Sequence, residues 1–511
     1  MCVLLNTYGP YLMMSSSHTF AELRSLMNTP ALDEARRQHL FDLLLQGNET
    51  HRELYRSTWL PYIQSFPHHF EQPLTSVHSV KELEHTANLI PCARFELHIP
   101  DKAQEFSTLE RSPALHTLSS LVLKTPSDTL IQSLLDSTKL NHITALTLCR
   151  TNNLNTRHFQ RLMQSPLLKN LTKLNLDLAS ISKHIQTLAQ SHHISSITHL
   201  SLASNAIEDH EVYHLAQSPY LKNLTYLSLA TNQIREEGAR ALAQSPYLKN
   251  LTSLHLQNNK LGVEGIQHIA NSPHLSSLQH LTIENNEVGI TGTLHIANSP
   301  HLSSLQHLNI RSNSIGREGT LALMQSPHLK NLKGLFLGSN YISPYGIKAL
   351  AQSSQLKNLT HLDLSYMFME HEGLKALVQS PYLSPITTLQ LNGNKLGDRD
   401  IELLLNTLDL SELTHLELRS NNISDAGAGL LAHAPQLKNL THLDLSYNHI
   451  ELDGITSLIQ SPNLIHVPSI ACEGNMIPSE TIHALNQTSH HHRLLNPPTT
   501  HNQSSRHGTF L

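Results

Sequence analysis

Histidine gives this chain its widest chemical scope. It holds 38 histidines in 511 residues, against four cysteines, 35 lysines and arginines, and 40 aspartates and glutamates. Imidazole ligates transition metals and titrates near neutrality, so placement decides what these residues do. His199, His280, His307, His361, His415 and His442 share one column, each six residues before a recurring slot. Two members 27 residues apart, such as His280 and His307 or His415 and His442, face each other if that step is one strand, about 4.8 Å. The plainest origin is duplication of a unit containing LTHL or LQHL. Two chemical alternatives remain: a bridging Zn²⁺ at His415, His442 and Glu417, which needs three or four converging ligands, and charging near pH 6, which would weaken capture of a basic partner. The reading adopted assigns no metal and no cofactor.

Other chemistry finds little support. Cysteines at 2, 92, 149 and 472 are too scattered for a disulfide framework or a paired metal site and suit a reducing compartment. No G-x-S-x-G, H-E-x-x-H, G-x-x-x-x-G-K-[ST] or G-x-G-x-x-G run occurs, so no catalytic residue is assigned and the chain reads as a non-enzyme. A formal charge of −5 and a pI near 6.8 supply neither a basic stripe for nucleic acid nor a polybasic segment for a membrane. No 18-residue apolar window appears. The first twenty residues lack a basic n-region and are interrupted by Gly9-Pro10, so no secretory signal is expected. The expected state is a cytoplasmic monomer without a small-molecule substrate, or a protein exported as an effector without that signal.

What must position these residues is a repeat. Leu251-Thr-Ser-Leu254-His-Leu256-Gln-Asn-Asn259-Lys-Leu261 recurs as L-x-x-L-x-L-x-x-N-x-[LIV]. Its asparagine falls at Asn205, Asn232, Asn259, Asn286, Asn313, Asn340, Asn394, Asn421, Asn448 and Asn475, always 27 residues apart except for one double step with Met367 in the slot. Looser starts at Leu118, Ile143 and Leu171 extend the pattern upstream, with Ala179 in the slot. The L-x-L front alternates as a short strand does. The back half carries helix-spaced apolar residues such as Leu242 and Ala243, and Ser-Pro pairs at Ser245, Ser272, Ser299, Ser326 and Ser380 end the helix. One 27-residue unit cannot shelter its own leucines, so stacking is obligatory. Strands stack at about 4.8 Å and helices at about 10 Å, a mismatch that predicts curvature.

These motifs resemble the leucine-rich repeat proteins, in particular the ribonuclease-inhibitor-like class of bacterial type. The resemblance implies an α/β solenoid, a horseshoe with a parallel β-sheet on the concave face and helices on the convex face. The asparagine column is expected to bond backbone of its own and adjacent repeats, with perturbed turns at Ala179 and Met367. The glycine six residues past the slot, at Gly238, Gly265, Gly292, Gly319, Gly346, Gly373, Gly427 and Gly454, suggests close helix-to-sheet approach.

Four segments follow. Residues 1–28 are expected to be disordered. Residues 29–113 form a helical module capping the first repeat, from the helix start at Thr29-Pro30. Residues 114–485 make the solenoid of thirteen or fourteen repeats, and residues 486–511 are a disordered tail.

The variable strand positions carry the functional expectation. Phe336, Tyr341 and Tyr366, with Arg311 one strand away, form an aromatic and arginine group of the kind that anchors protein partners. Ordinary surface variation remains the alternative. Asp363, Glu417 and Asp444, with Arg419, make an acidic stretch suited to a basic partner. The chain therefore reads as a protein-interaction scaffold. Alternatives are a regulator of a small GTPase or a bacterial effector that binds host protein. A ribonuclease inhibitor is disfavoured, since the chain is neither cysteine-rich nor strongly acidic.

Overall fold

The structure, a computed structural model, describes residues 73–81, 83, 87, 94–99, 103–151, 154–383, 386–467, 469–477 and 493–495. It separates into two compact units, residues 1–234 with 244–251, and residues 235–243 with 252–511. The first unit carries β1 (Pro73–Val77), β2 (Arg94–Ile99), β3 (Leu118–Lys124), β4 (Ala145–Cys149), β5 (Lys173–Asn175), β6 (His199–Ser201) and β7 (Tyr226–Ser228). The second carries β8 (Ser253–His255), β9 (His280–Thr282), β10 (His307–Asn309), β11 (Gly334–Phe336), β12 (His361–Asp363), β13 (Thr388–Gln390), β14 (His415–Glu417), β15 (His442–Asp444), β16 (Ser469–Ala471) and β17 (Arg493–Leu495). Within each unit every strand pairs parallel with the next in chain order.

The leucine period sets that register. Leu281, Leu308, Leu335 and Leu362 lie side by side along the sheet, because each strand enters one repeat after the last. In one repeat Leu305, Leu308, Ile310 and Ile315 are all fully buried, joined from the helix Gly316–Gln325 by Leu323. Repeats of this kind share one apolar core between strands and helices, which is why none is stable alone. This is the leucine-rich repeat solenoid that the period predicts.

Polar rows run beside the leucines. Asn313 accepts the backbone N–H groups of Asn286 at 2.8 Å and Val288 at 3.2 Å, and donates to the carbonyls of Ile283, Ile310 and Arg311. The same pattern holds at Asn340 and Asn421, and Asn448 shares it with one accepted N–H group, that of Ile423. Other rows were not anticipated. The Ser-Pro serines do more than end helices, since Ser245, Ser272, Ser299, Ser326 and Ser380 each donate to an alanine carbonyl 29 residues earlier. Thr225, Thr387, Thr414 and Thr441 donate to a threonine carbonyl one repeat back. A second asparagine row, Asn223, Asn250, Asn331, Asn358 and Asn439, bonds carbonyls 28 residues earlier.

Several expectations change. The repeat at Met367 keeps its strand register and the backbone signs of its neighbours; what it loses is an acceptor, so neither Asn340 N–H nor Ile342 N–H finds one among the described residues. At Ala179 the turn does differ, with a 3₁₀ turn Ser182–His184 before a six-residue helix. The recurrent glycine lies against the preceding helix and its own turn rather than the sheet: a Cβ on Gly265 would stand 3.1 Å from Leu261 Cβ and 3.3 Å from Ala239 Cβ. Within the stretch read as a helical cap, β1 and β2 extend the parallel arrangement ahead of β3, and R-F-E-L-H-I of β2 has the strand alternation that explains it. In the stretch read as a tail, β17 pairs with β16. Residues 1–72, which include the expected helix start at Thr29-Pro30, and most of 486–511 lie outside the described residues.

Candidate functional site

On the second unit, strand residues two, four and six places before the asparagine slot stand on the sheet face opposite the helices. Arg311 is the hub. Its side chain passes over Gly338, where a Cβ would meet Asp363 Oδ2 and Arg311 Nε, and donates from Nε to Asp363 Oδ2 at 2.5 Å and from Nη2 to Gln390 Oε1 at 2.6 Å. Gln390 then donates to Glu417 Oε1, and Asn392 donates to Glu417 Oε2, both at 2.7 Å. Arg419 N–H donates to Asn392 Oδ1 at 2.8 Å. One polar chain thus crosses β10 to β14.

This overturns part of the expected surface. Asp363 is 0 % exposed; besides Arg311 it accepts Gly338 N–H at 3.1 Å and both the N–H and hydroxyl of Ser365. It holds the fold together and has no capacity for a partner. Burial alone pulls the Arg311 guanidinium pKa down, but Asp363, with Glu284 and Glu417 behind it, more than reverses this and leaves it above its ordinary value. Phe336 is half-buried with the Arg311 guanidinium 5.9 Å from its ring centre. Glu417 and Asp444 are half-buried, and neither is ion-paired among the described residues. The face carries five carboxylates, at Glu284, Asp363, Glu417, Asp444 and Glu473, against the two arginines 311 and 419.

On this unit Tyr345 is exposed on the helix Ser343–Ala351, and the other exposed aromatics stand at the strand ends. Tyr341 is 71 % exposed, Phe368 52 %, Tyr366 45 % and Tyr447 44 %. All four have positive φ, between 51° and 57°. Just before the asparagine slot every second-unit repeat needs this conformation, and most meet it with asparagine, serine or glycine (Asn258, Asn285, Ser312, Ser339, Gly393, Ser420, Gly474), while Tyr366 and Tyr447 do not. A left-handed backbone costs a bulky residue about 1–2 kcal/mol, and these rings recover little of it by burial. Phe368 and Tyr447 were not singled out from sequence, although for Tyr447 a tyrosine interrupting a serine, asparagine and glycine column was the available signal.

The histidine column stacks as the register requires. His280 and His307 are parallel at 4.8 Å, His307 meets His361 edge-on at 5.9 Å across Gly334, and His415 and His442 lie 5.6 Å apart. No group of three or more His, Cys, Asp or Glu converges on a metal position among the described residues, and Glu417 turns both oxygens to Gln390 and Asn392. Burial depresses His280, His361 and His415, and takes His255 and His307 to about 4, with neighbouring histidines adding to the effect. His255 and His307 therefore stay neutral near pH 6. Because the folded chain holds them neutral, the unfolded chain binds more protons between about 6.5 and 4. Stability is full above pH 6.5 and falls as pH drops toward 4. Urea midpoints measured from pH 7.5 to 4 should show that decline, and His307→Gln should reduce its slope.

Burial raises the Cys149 thiol, and burial with Asp444 pushes Cys472 up to about 12, which disfavours the thiolate at both. No described helix is long and apolar enough to cross a membrane.

Five stretches of the chain, residues 220–243, 247–270, 301–324, 410–432 and 436–458, match the Leucine Rich repeat family. Those stretches are leucine-rich repeats. No curated protein matches the chain. Among solved structures, an internalin from Listeria monocytogenes is similar at 18 % identity and TM-score 0.35, over 72 % of this chain and 94 % of that one. The yeast Rad7 and Elc1 complex matches at 17 % identity and TM-score 0.41, over 63 % and 89 %. A TLR13–ssRNA13 complex matches at 18 % identity and TM-score 0.34, over 81 % and 59 %. Of the site, Arg311, Glu417, Arg419, Asp444 and Tyr447 lie in matched stretches, while Phe336, Tyr341, Asp363 and Tyr366 lie between them.

Proposed function

We propose that this chain is a non-enzymatic scaffold whose leucine-rich repeats hold a protein partner at the helix-free face of the second unit. Within that family we place it in the ribonuclease-inhibitor-like class of bacterial type, working as a monomer in the cytoplasm or exported as an effector. The contact centres on Tyr341 and Tyr366, flanked by Phe336 and by the acidic and basic groups Glu417, Arg419 and Asp444. Arg311 serves by fixing the floor beneath them.

One observation carries this reading. Tyr341 and Tyr366 are 71 % and 45 % exposed while held in a backbone conformation that costs free energy, so the fold gains little from them. Exposed, rigid aromatics beside a polar, water-excluding surround are what interface hot spots consist of. Affinity capture with the full chain tests it. Each tyrosine at about 2 kcal/mol corresponds to a loss of about 30-fold in affinity, so Tyr341→Ser/Tyr366→Ser should no longer retain the proteins that the wild type retains. Identical retention by a variant with an unchanged melting temperature removes the rim from the site.

A further inference from the structure

The rim holds a tyrosine ring against a positive-φ glycine twice, once beneath an arginine and once not. In the filled copy the Tyr447 ring lies against Gly474, where any Cβ would stand 2.6 Å from the ring. The Arg419 guanidinium sits 4.3 Å from that ring's centre, and Glu473 accepts the tyrosine hydroxyl at 3.1 Å. Arg419 belongs to the preceding repeat, two places before its asparagine slot.

The second copy is offset by three repeats. The Tyr366 ring lies against Gly393 just as Tyr447 lies against Gly474, both glycines at positive φ. The residue equivalent to Arg419 is Gly338, over which the Arg311 side chain passes to Asp363 without reaching the Tyr366 ring, and the equivalent of Glu473 is Asn392. Among the described residues, cations stand over Phe336, Phe368 and Tyr447, and none over Tyr366. Resting on the proposed function above, we propose that Tyr366 receives an arginine side chain from the partner protein, seated as Arg419 seats on Tyr447.

Three features favour that occupant. The aromatic face attracts a guanidinium electrostatically. Glu417, which accepts from Gln390 and Asn392 at the far end of the polar chain, lacks an ion-pair partner among the described residues. The face as a whole has more carboxylates than arginines, which steers a basic segment toward it. Gly393 keeps the ring in place, so the platform exists before the ligand arrives.

The probe is a capped peptide of alternating glycine, serine and arginine, with versions in which every arginine becomes citrulline or lysine, titrated by NMR into the full chain at low salt. Citrulline keeps the shape and removes the charge. The arginine peptide should bind best. Tyr366→Leu should weaken it about 2- to 5-fold, the range of an exposed cation–π contact, and Tyr366→Phe should restore it. Equal binding of the citrulline or lysine peptide, no effect of Tyr366→Leu in a chain that melts normally, or no binding at all would overturn the proposal. If captured partners depend on the rim while the peptide result is negative, only the arginine assignment falls. If capture ignores the rim, the proposed function falls with it.

Discussion

Arg311→Ala is expected to destabilise the chain by about 3–5 kcal/mol, the cost of leaving a buried charge without its partner. Asp363 is 0 % exposed and has no other cation on it among the described residues, and Arg311 itself is only 25 % exposed. The remaining donors to Asp363, Gly338 N–H and the Ser365 N–H and hydroxyl, satisfy its lone pairs without neutralising its charge. Gln390 also loses its donor from Arg311. Removing both charges tells a different story: Arg311→Met/Asp363→Asn should recover most of the loss, because a neutral pair of similar shape avoids the desolvation penalty. Chemical denaturation of Arg311→Met, Asp363→Asn and the double variant forms a double-mutant cycle. A coupling near zero would show that the pair acts as two independent surface groups.

Asn313→Ala is expected to cost about 3 kcal/mol, the upper end for an unsatisfied buried polar group. The variant strands two backbone N–H groups, of Asn286 and Val288, and removes a donor shared by three carbonyls. Met367 shows the same vacancy in the natural chain, where Asn340 N–H and Ile342 N–H lack acceptors yet the register holds. The loss should therefore appear as reduced stability with an unchanged far-ultraviolet spectrum. A cost below about 0.5 kcal/mol in urea unfolding, the scale of a neutral surface change, would mean the amide is replaceable by water.

The fold was legible because it rests on one period. A leucine that returns every 27 residues can only be buried by a neighbour carrying the same leucine, and the asparagine column follows from the turn each strand must make. The candidate site was legible only in part. Tyr341 and Tyr366 are readable as exposed because they sit where strands end. Asp363 is not readable as buried, since its cover is Arg311, 52 residues away, crossing a notch that exists because residue 338 is glycine. Such contacts run across the repeats, and no spacing along the chain encodes them. The histidines behave likewise: their type suggests a response near pH 6, while stacking at 4.8 Å and burial move it lower. The strand β2 was visible as alternating apolar residues but lies outside the 27-residue register that dominated the reading.

A floor that stabilises and a rim that binds divide the labour of this face. Partner capture by two full-length variants, compared at a temperature where both are folded, separates them most directly. Tyr341→Ser/Tyr366→Ser should lose the partner while melting as the wild type does; Arg311→Met/Asp363→Asn should keep it. Loss of the partner in the floor variant with retention in the rim variant would contradict the account.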